Sequence, residues 1–263
     1  MATTKAYRDI GFLTSPDART LRILAEYLEP ESRFRRQGID NIIAFFGSAR
    51  ARPLDEAQGS LAAARKRGAT AERVAELEPA LKLARYYEDA RHLARRLTEW
   101  SMELGGDRQA FTLCSGGGPG IMEACNRGAA EAGGRSIGLN ISLPHEQEPN
   151  PYITPELNLE FHYFFMRKLW FVHLACAMVI FPGGLGTLDE MAELLTLTQT
   201  GRSRSMPIVI YGSEYWKEVL SFDAMVRWGT IGPEDLALFR LADSPDEAFG
   251  FLREQLAERL TPG

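Results

Sequence analysis

MVIFPGGLGTLDE, the sequence at residues 178–190, joins an apolar run to a glycine-rich turn and to the start of an amphipathic helix. Four apolar residues before such a turn are typical of a buried strand. A helix that begins directly after the turn has free backbone N–H groups, and these donors together with the helix dipole stabilise an anion such as phosphate. Glycine lets the backbone approach a ligand closely. The stretch therefore predicts a strand–loop–helix unit that binds a phosphate group.

Two side chains of this unit add chemistry to the loop. Thr187 can contribute a hydroxyl to phosphate binding, and Glu190, one turn into the helix, places a carboxylate near the ligand. Taken alone, Glu190 is better explained as a charge that complements the helix dipole, an effect of about 0.3–1 kcal/mol. We read the neighbouring Asp189 as a solvent-facing or a helix-start charge. A phosphate and an acid side by side nevertheless suggest chemistry on a phosphorylated sugar.

The same arrangement of strand, glycine loop and helix occurs before this stretch. A strand at 110–114 runs into SGGGPG at 115–120 and a helix at 121–132, and a first core strand at 41–46 ends at Gly47. We expect further strands at 136–141, 157–161, 207–211 and, at one edge, 238–241, with helices at about 165–175, at 215–228 and at the C-terminus. Alternating strands and helices predict an α/β fold, a doubly wound Rossmann-like parallel sheet with flanking helices and ligands at the carboxyl ends of the strands.

The chain divides into an N-terminal helical extension and one larger domain. Residues 1–40 form the extension, in which Ser15-Pro16-Asp17 is typical of a helix start. Residues 41–263 form a Rossmann-like nucleotide-binding catalytic domain with a helical insertion at about 55–104, which Gly68 or Pro79 would break into a hairpin. The many Arg residues of the insertion alternate with Glu, which favours a solvated helix face over an RNA-binding surface.

The composition of the chain favours a single large α/β domain and argues against several other classes of protein. The 263 residues are 45% hydrophobic and carry a formal net charge of −5, which suits one large α/β domain and opposes a nucleic-acid surface. Three Cys residues without C-x-x-C spacing, and four His residues without a metal-binding pair, predict no disulfide framework, no metal and a reducing cytoplasm. Since no leader opens the chain and no apolar run approaches the roughly 20 residues of a membrane span, we expect a soluble, unprocessed protein with no membrane partner.

Two widespread nucleotide-binding fingerprints do not fit. The loop at 115–120 lacks the G-x-x-x-x-G-K-[ST] pattern, which disfavours the chemistry of P-loop NTPases. The first strand ends in GSAR at 47–50 and not in G-x-G-x-x-G, which disfavours a dinucleotide dehydrogenase.

The pattern P-G-G-x-G-T-x-x-E at 182–190, preceded by Arg167-Lys168, resembles the signature of the LONELY GUY family of nucleoside 5′-monophosphate phosphoribohydrolases. Many members of that family were long labelled lysine decarboxylases. The resemblance spans about residues 40–215. GSAR at 47–50, SGGGPGIMEA at 115–124 and LPHEQ at 143–147 are similar to the longer bacterial subgroup, whereas the N-terminal segment and the insertion depart from the compact plant-like members.

The resemblance implies hydrolysis of the N-glycosidic bond of AMP or a cytokinin riboside monophosphate to free base and ribose 5-phosphate, without a cofactor, as in AMP nucleosidases or cytokinin biosynthesis. It implies a homodimer or larger homo-oligomer. It assigns catalysis to Arg167 and Glu190. The substrate-binding positions that it assigns are Ser48, Gly116, Gly117, Gly118, Gly120, Glu146, Lys168, Gly183, Gly184, Gly186, Thr187 and Thr196.

The chemistry agrees with this assignment in part. Cleavage of the bond develops positive charge at the anomeric carbon of the ribose, which a fixed carboxylate such as Glu190 stabilises while it orients a water. Arg167 can anchor phosphate or stabilise the departing base, and sequence does not choose between these roles. Arg167 also lies among apolar residues, where an arginine can simply pack.

Two other functions stay open. The protein can be a non-catalytic nucleotide or molybdenum-cofactor carrier on the same fold, which would not need the pair Arg167 and Glu190. A pyridoxal-phosphate lysine decarboxylase would need a Schiff-base lysine, for which Lys168 is the one candidate. The apolar stripe Trp170, Phe171 and Leu174 is read as core or as a dimer face.

Overall fold

A single sheet of seven parallel strands forms the centre of the protein. The structure is a computed structural model, and it describes residues 4–143 and 148–260. The strand order is β4-β3-β2-β1-β5-β6-β7. The strands are β1 Ile42–Phe46, β2 Thr112–Ser115, β3 Ser136–Ile141, β4 Asn158–Phe161, β5 Ala175–Ile180, β6 Ile208–Tyr211 and β7 Arg240–Ala242. Every pairing in the sheet is parallel, which confirms the doubly wound Rossmann-like fold.

Helices cover both faces of the sheet. They are α1 Ile10–Thr14, α2 Arg19–Gln37, α3 Leu54–Lys66, α4 Ala71–Ala75, α5 Glu78–Gly105, α6 Ile121–Glu131, α7 Phe164–His173, α8 Leu185–Gln199, α9 Ser213–Val219, α10 Phe222–Arg227 and α11 Pro245–Leu260. Among the described residues, no helix is long and apolar enough to span a membrane.

Two apolar layers hold the sheet between the helices. Alternate residues of each strand point to opposite faces. Ile43 and Phe45 of β1 therefore join the layer that contains α5, α6 and α11, while Ile42, Ala44 and Phe46 join the layer that contains α2, α7 and α8. Because both faces are covered, the strands are continuous apolar runs.

The chain reverses direction across the sheet at β1. It leaves β1 toward β2, continues to β4, and then returns through α7 to β5 on the other side of β1. In open α/β sheets, ligands bind at the carboxyl ends of the strands beside such a reversal. The loops that follow β1, β2 and β5 meet at this point, and they are the three glycine loops that the sequence shows.

The helical insertion differs from the predicted hairpin. The chain breaks at both predicted places, since α3 ends just before Gly68, which has φ +67°, and α5 begins with Glu78-Pro79. The short helix α4 lies between the two breaks. Ten residues of α5 are buried against the sheet and its neighbouring helices, so α5 is the crossover between β1 and β2.

Two boundaries near the C-terminus also differ. The predicted helix at 215–228 is two helices, because Leu220 is extended and the Ser221 side chain accepts a hydrogen bond from the Ala224 N–H to start α10. The predicted edge strand at 238–241 is β7 at 240–242, preceded by a 3-10 helix at Pro233–Leu238. The division at residue 40 stays a prediction, although Phe34 of α2 is buried and packs on Trp170 of α7.

Candidate active site

Ser48 ties together the three loops at the carboxyl ends of β1, β2 and β5. Its N–H donates to the Pro182 carbonyl at 2.9 Å, and its own carbonyl accepts from the Ile121 N–H at 3.1 Å. Gly120 passes so close that a Cβ there would lie 2.2 Å from the Ser48 carbonyl oxygen, and its φ is +74°. Only glycine meets both conditions. The loops therefore form one rigid floor.

A cleft of about 720 Å³ opens above this floor. Its polar and charged lining consists of Ser48, Arg50, Asn140, Arg167, Thr187, Glu190 and Tyr215. Its apolar lining includes Phe46, Leu83, Met122, Ile141, Leu143, Phe164, Phe171 and Leu185. The volume and the mixture of a few polar groups with an apolar wall are typical of a small-molecule site.

Arg167 of α7 and Glu190 of α8 form a buried ion pair in this cleft. Arg167 Nη2 donates to Glu190 Oε1 at 3.3 Å, and the two side chains are 14% and 9% exposed. Burial raises the pKa of Glu190, and the charges of Arg167 and Lys168 oppose that rise. Burial likewise lowers the pKa of Arg167, and Glu190 opposes the change. Helices from two different crossovers thus bring together residues 23 positions apart.

The Arg167 guanidinium still has hydrogen-bonding capacity. Its Nε is buried and has no hydrogen-bond partner in the part of the chain that the structure describes. The guanidinium carbon lies 5.6 Å from the centroid of the Phe164 ring and 5.7 Å from that of Phe171, within the range of a cation–π interaction. A buried donor without a partner is costly, so a ligand that accepts from it would be stabilised.

The loop before α8 is open on the side that faces the cleft. No atom of residues 4–143 or 148–260 lies within 4 Å of the position of a Cβ on Gly184 or Gly186. The Leu188 N–H is bonded to the Gly184 carbonyl at 3.0 Å, and the earlier N–H groups of the first turn have no acceptor within the helix. Gly183 packs tightly on Thr187, and the Tyr215 hydroxyl donates to the Gly183 carbonyl at 2.7 Å. This loop can hold an anion.

The loop after β2 is closed by comparison. Gly116 lines the cleft. A Cβ on Gly117 would lie 2.2 Å from the Asn140 side-chain oxygen, and Asn150 Nδ2 donates to the carbonyls of Gly117 and Gly118 at 3.0 and 3.1 Å. Of the predicted binding residues in this loop, Gly116 therefore lies at the cleft surface. The others, Gly117, Gly118 and Gly120, lie behind the surface and support the loop.

Two further predicted binding residues, Lys168 and Thr196, do not line the cleft either. Lys168 Nζ forms ion pairs with Asp189 at 2.7 Å and with Glu193 at 2.9 Å, so Asp189, which is 56% exposed, faces solvent as expected and also has a partner. Thr196 is exposed on α8 and donates to the Ala192 carbonyl. Contact of these two residues with a substrate stays a prediction. Glu146 lies outside the described residues.

Sequence reasoning missed the asparagines that support the loops. Asn126 accepts from Ser115 Oγ at 2.6 Å and from Asn150 Nδ2 at 2.9 Å, and all three side chains are buried. An amide on the apolar face of α6, beside Cys125 and Ala129, was the available signal, because buried amides usually belong to hydrogen-bond networks. The apolar wall was missed as well, since its residues come from six elements and one loop that are far apart in sequence.

Metal binding finds no support in the described part of the chain, where no three His, Cys, Asp or Glu residues are grouped as a metal site requires. Cys114 and Cys125 are buried, and burial raises the pKa of each thiol. They are therefore poor nucleophiles at neutral pH.

Comparison with known proteins gives consistent matches. A family model described as "Possible lysine decarboxylase" matches residues 122–252. The pyrimidine/purine nucleotide 5′-monophosphate nucleosidase of Escherichia coli K12 is 30% identical over 117 residues, which cover 39% of this chain and 24% of that protein. The probable cytokinin riboside 5′-monophosphate phosphoribohydrolase LOG4 of rice, Oryza sativa subsp. japonica, is 27% identical over 57% of this chain and 66% of that protein. The chain thus spans about a quarter of the length of the bacterial relative.

Among solved structures, the molybdenum cofactor binding protein of the phototrophic bacterium Rippkaea orientalis has a TM-score of 0.51 and 17% identity, over 82% of this chain and 96% of that one. At this identity the likeness shows the fold alone. The glycine loops and the Arg167–Glu190 pair, together with the matched family model and the named relatives, place the protein more narrowly. By these matches the chain is similar to members of the LONELY GUY family.

Proposed function

We propose that the protein hydrolyses the N-glycosidic bond of nucleoside 5′-monophosphates, AMP and cytokinin riboside monophosphates among them, to free base and ribose 5-phosphate. The observation that carries this proposal is the buried pair of Arg167 and Glu190, 3.3 Å apart in a cleft beside an open glycine loop. Curated relatives are named as nucleosidases or phosphoribohydrolases of nucleoside 5′-monophosphates.

The 5′-phosphate is held at the start of α8. Gly184 and Gly186 leave room for the phosphate oxygens to approach the free N–H groups of the first turn. Thr187 is beside them and can add its hydroxyl. Gly183 is fixed from behind by Tyr215, which keeps the loop in its open form.

Glu190 supplies the chemistry at the sugar. Departure of the base leaves positive charge at the anomeric carbon, and a carboxylate that is only 9% exposed interacts with that charge more strongly than one in water. The same carboxylate orients and deprotonates the attacking water. Arg167 keeps Glu190 ionised and oriented, and its unbonded Nε is free to donate to the substrate.

The base lies against the apolar wall. Phe164, Met122 and Leu143 offer a surface for a flat heterocycle, and Phe164 and Leu143 are 51% and 39% exposed. Apolar contacts at the base do not discriminate strongly among heterocycles of similar size. We therefore expect more than one nucleoside monophosphate to be cleaved.

The test is release of base from AMP and from a panel of other nucleoside monophosphates, followed by chromatography. Wild-type protein should form base and ribose 5-phosphate in equal amounts, and Glu190→Ala should lose this activity by about 10²–10⁴-fold. Binding of the nucleotides without turnover by the wild type would reject hydrolysis and favour the carrier function.

Decarboxylation of lysine receives no support from the site. A Schiff base needs an uncharged lysine in a cofactor pocket. Lys168 does not line the cleft, and its bonds to Asp189 and Glu193 raise its pKa.

A further inference from the structure

We propose that Arg50 binds the phosphate group of the nucleotide and makes the cleft select phosphorylated over unphosphorylated nucleosides. This proposal rests on the proposed function for its choice of ligand, but it gives a role to Arg50, the last residue of the GSAR segment, to which neither the family resemblance nor the catalytic pair assigned one. It starts from the charges around the cleft, because they decide whether a phosphate dianion can approach α8 at all.

The charged side chains of α7 and α8 do not attract an anion by themselves. Two cations, Arg167 and Lys168, face the three carboxylates of Asp189, Glu190 and Glu193, which leaves one negative charge in excess. Each of these cations is already bonded to a carboxylate. The N-terminus of α8 contributes about half a positive charge, which does not offset a phosphate dianion. A further cation is needed at the cleft.

Arg50 is placed to supply that cation. It lines the same cleft as Gly184, Gly186 and Thr187. Its backbone is fixed there, since Arg50 N–H donates to Ser48 Oγ at 3.1 Å and Ser48 is bonded to Pro182 of the loop before α8. Within residues 4–143 and 148–260, no carboxylate forms an ion pair with its exposed guanidinium.

The guanidinium suits a phosphate in particular. Its planar fork donates two parallel hydrogen bonds to two phosphate oxygens, and it is always charged at neutral pH. Because the side chain is exposed when the cleft is empty, binding must order it, and the contribution will be smaller than that of a buried pair. The effect should therefore appear in the affinity for the phosphate group and much less in the rate of bond cleavage.

The experiment compares Arg50→Ala with Arg52→Ala and Arg50→Lys. Arg52 is a matched control, because it is exposed, lies two residues along the same loop and does not line the cleft. Isothermal calorimetry would measure binding of ribose 5-phosphate, which has no glycosidic bond to cleave, and of ribose. The KM and kcat for AMP would be measured with the same four proteins.

We expect Arg50→Ala to bind ribose 5-phosphate roughly ten-fold more weakly than wild type, with Arg50→Lys in between and Arg52→Ala unchanged. The KM for AMP should rise by a similar factor while kcat changes little. Equal affinity of wild type and Arg50→Ala for ribose 5-phosphate, or no measurable binding by wild type, would overturn the proposal.

The outcomes separate this proposal from the proposed function. Loss of ribose 5-phosphate affinity in Arg50→Ala, in a protein that releases no base from AMP, would retain the phosphate contact and reject the hydrolase. Release of base by wild type, with an unchanged KM in Arg50→Ala, would retain the hydrolase and reject the contact.

Discussion

Burial raises the pKa of Glu190, and the neighbouring cations Arg167 and Lys168 oppose that rise, so the protonation of one carboxyl is set by opposing causes. If the carboxylate is the active form, kcat/KM for AMP must increase as the pH rises through this pKa. The acidic limb of the profile should therefore lie above the ordinary range of a glutamate.

Two substitutions should move that limb in opposite directions. Lys168→Met removes a cation that lowers the pKa of Glu190, so the limb should shift to higher pH. Glu193→Gln removes a carboxylate that raises it, so the limb should shift to lower pH. Neither side chain lines the cleft, and pH profiles of kcat/KM measure both effects. Profiles that coincide with that of wild type would show that Glu190 does not set the limb.

A second prediction at this scale concerns Asn150, whose side chain is 7% exposed. Its Nδ2 donates to the carbonyls of Gly117 and Gly118 and to Asn126 Oδ1. Asn150→Asp keeps the shape but replaces the donor with an acceptor that faces three oxygens. We expect the free energy of unfolding in urea to fall by about 1–3 kcal/mol or more.

Asn158→Asp is the matched control for this change. Asn158 Oδ1 accepts from Asn140 Nδ2 at 2.6 Å, and an aspartate can accept the same bond. The control should lose much less stability than Asn150→Asp. Equal losses would mean that the donor of Asn150 is not what holds the loop after β2.

At the scale of whole elements, α2 is attached to the start of α7, the helix that carries Arg167. The Glu26 carboxylate accepts from the backbone N–H groups of His162 and Tyr163 at 2.8 and 3.1 Å, and Trp170 Nε1 donates to the Glu26 carbonyl. Since Tyr163 is the N-cap of α7, Glu26 accepts from the N-cap N–H, as the N3 glutamate of a capping box does within one segment.

Glu26→Ala should therefore reduce both stability and catalysis. We expect a loss of about 1 kcal/mol in urea unfolding and a lower kcat for AMP, because Arg167 is then less well oriented, while Glu26→Gln should restore part of both. Glu29→Ala, which removes only a partly exposed pair with Arg33 on the same helix, should change little. Equal kcat values for Glu26→Ala and wild type would contradict a role of α2 in placing Arg167.

The elements themselves were largely predictable from the sequence. Strands buried on both faces are continuous apolar runs, so β1 and β3 were located within one residue of their observed bounds. The break at Leu220 was not predicted, because its cause is an extended backbone and the cap at Ser221 in a sequence that is otherwise helical in pattern. The cap that Glu26 provides could not be predicted either, since it joins residues 136 positions apart.

Over the whole molecule, sequence identified the two catalytic candidates but not their surroundings. Arg167 and Glu190 were identified from the family signature, in which they stand 23 positions apart. Because α7 packs beside α8, the two side chains form an ion pair in the folded protein. The apolar wall and the position of Lys168 depend on which faces of neighbouring helices pack against each other. The local sequence pattern of one helix does not determine that packing. Trp170 and Phe171 are buried within one chain, so they are core and not a dimer face.

The dimer predicted from the family resemblance requires another apolar surface, and α7 has one. Phe165 and Leu169 are 50% and 38% exposed and line a groove between α7 and α8 together with Val172 and Leu197. Residues 165, 169 and 172 recur at helical spacing on one face, and contiguous exposed apolar residues are typical of interfaces.

We therefore expect light scattering after size exclusion to give wild-type protein at least twice the 29.3 kDa of one chain, and Phe165→Asp to dissociate it. A charge placed in a desolvated apolar interface has no partner there and costs several kcal/mol. Trp228→Asp is the control, because Trp228 is 84% exposed at the end of α10 and does not line this groove. A wild-type monomer, or a Phe165→Asp protein of unchanged mass, would show that α7 is not the interface.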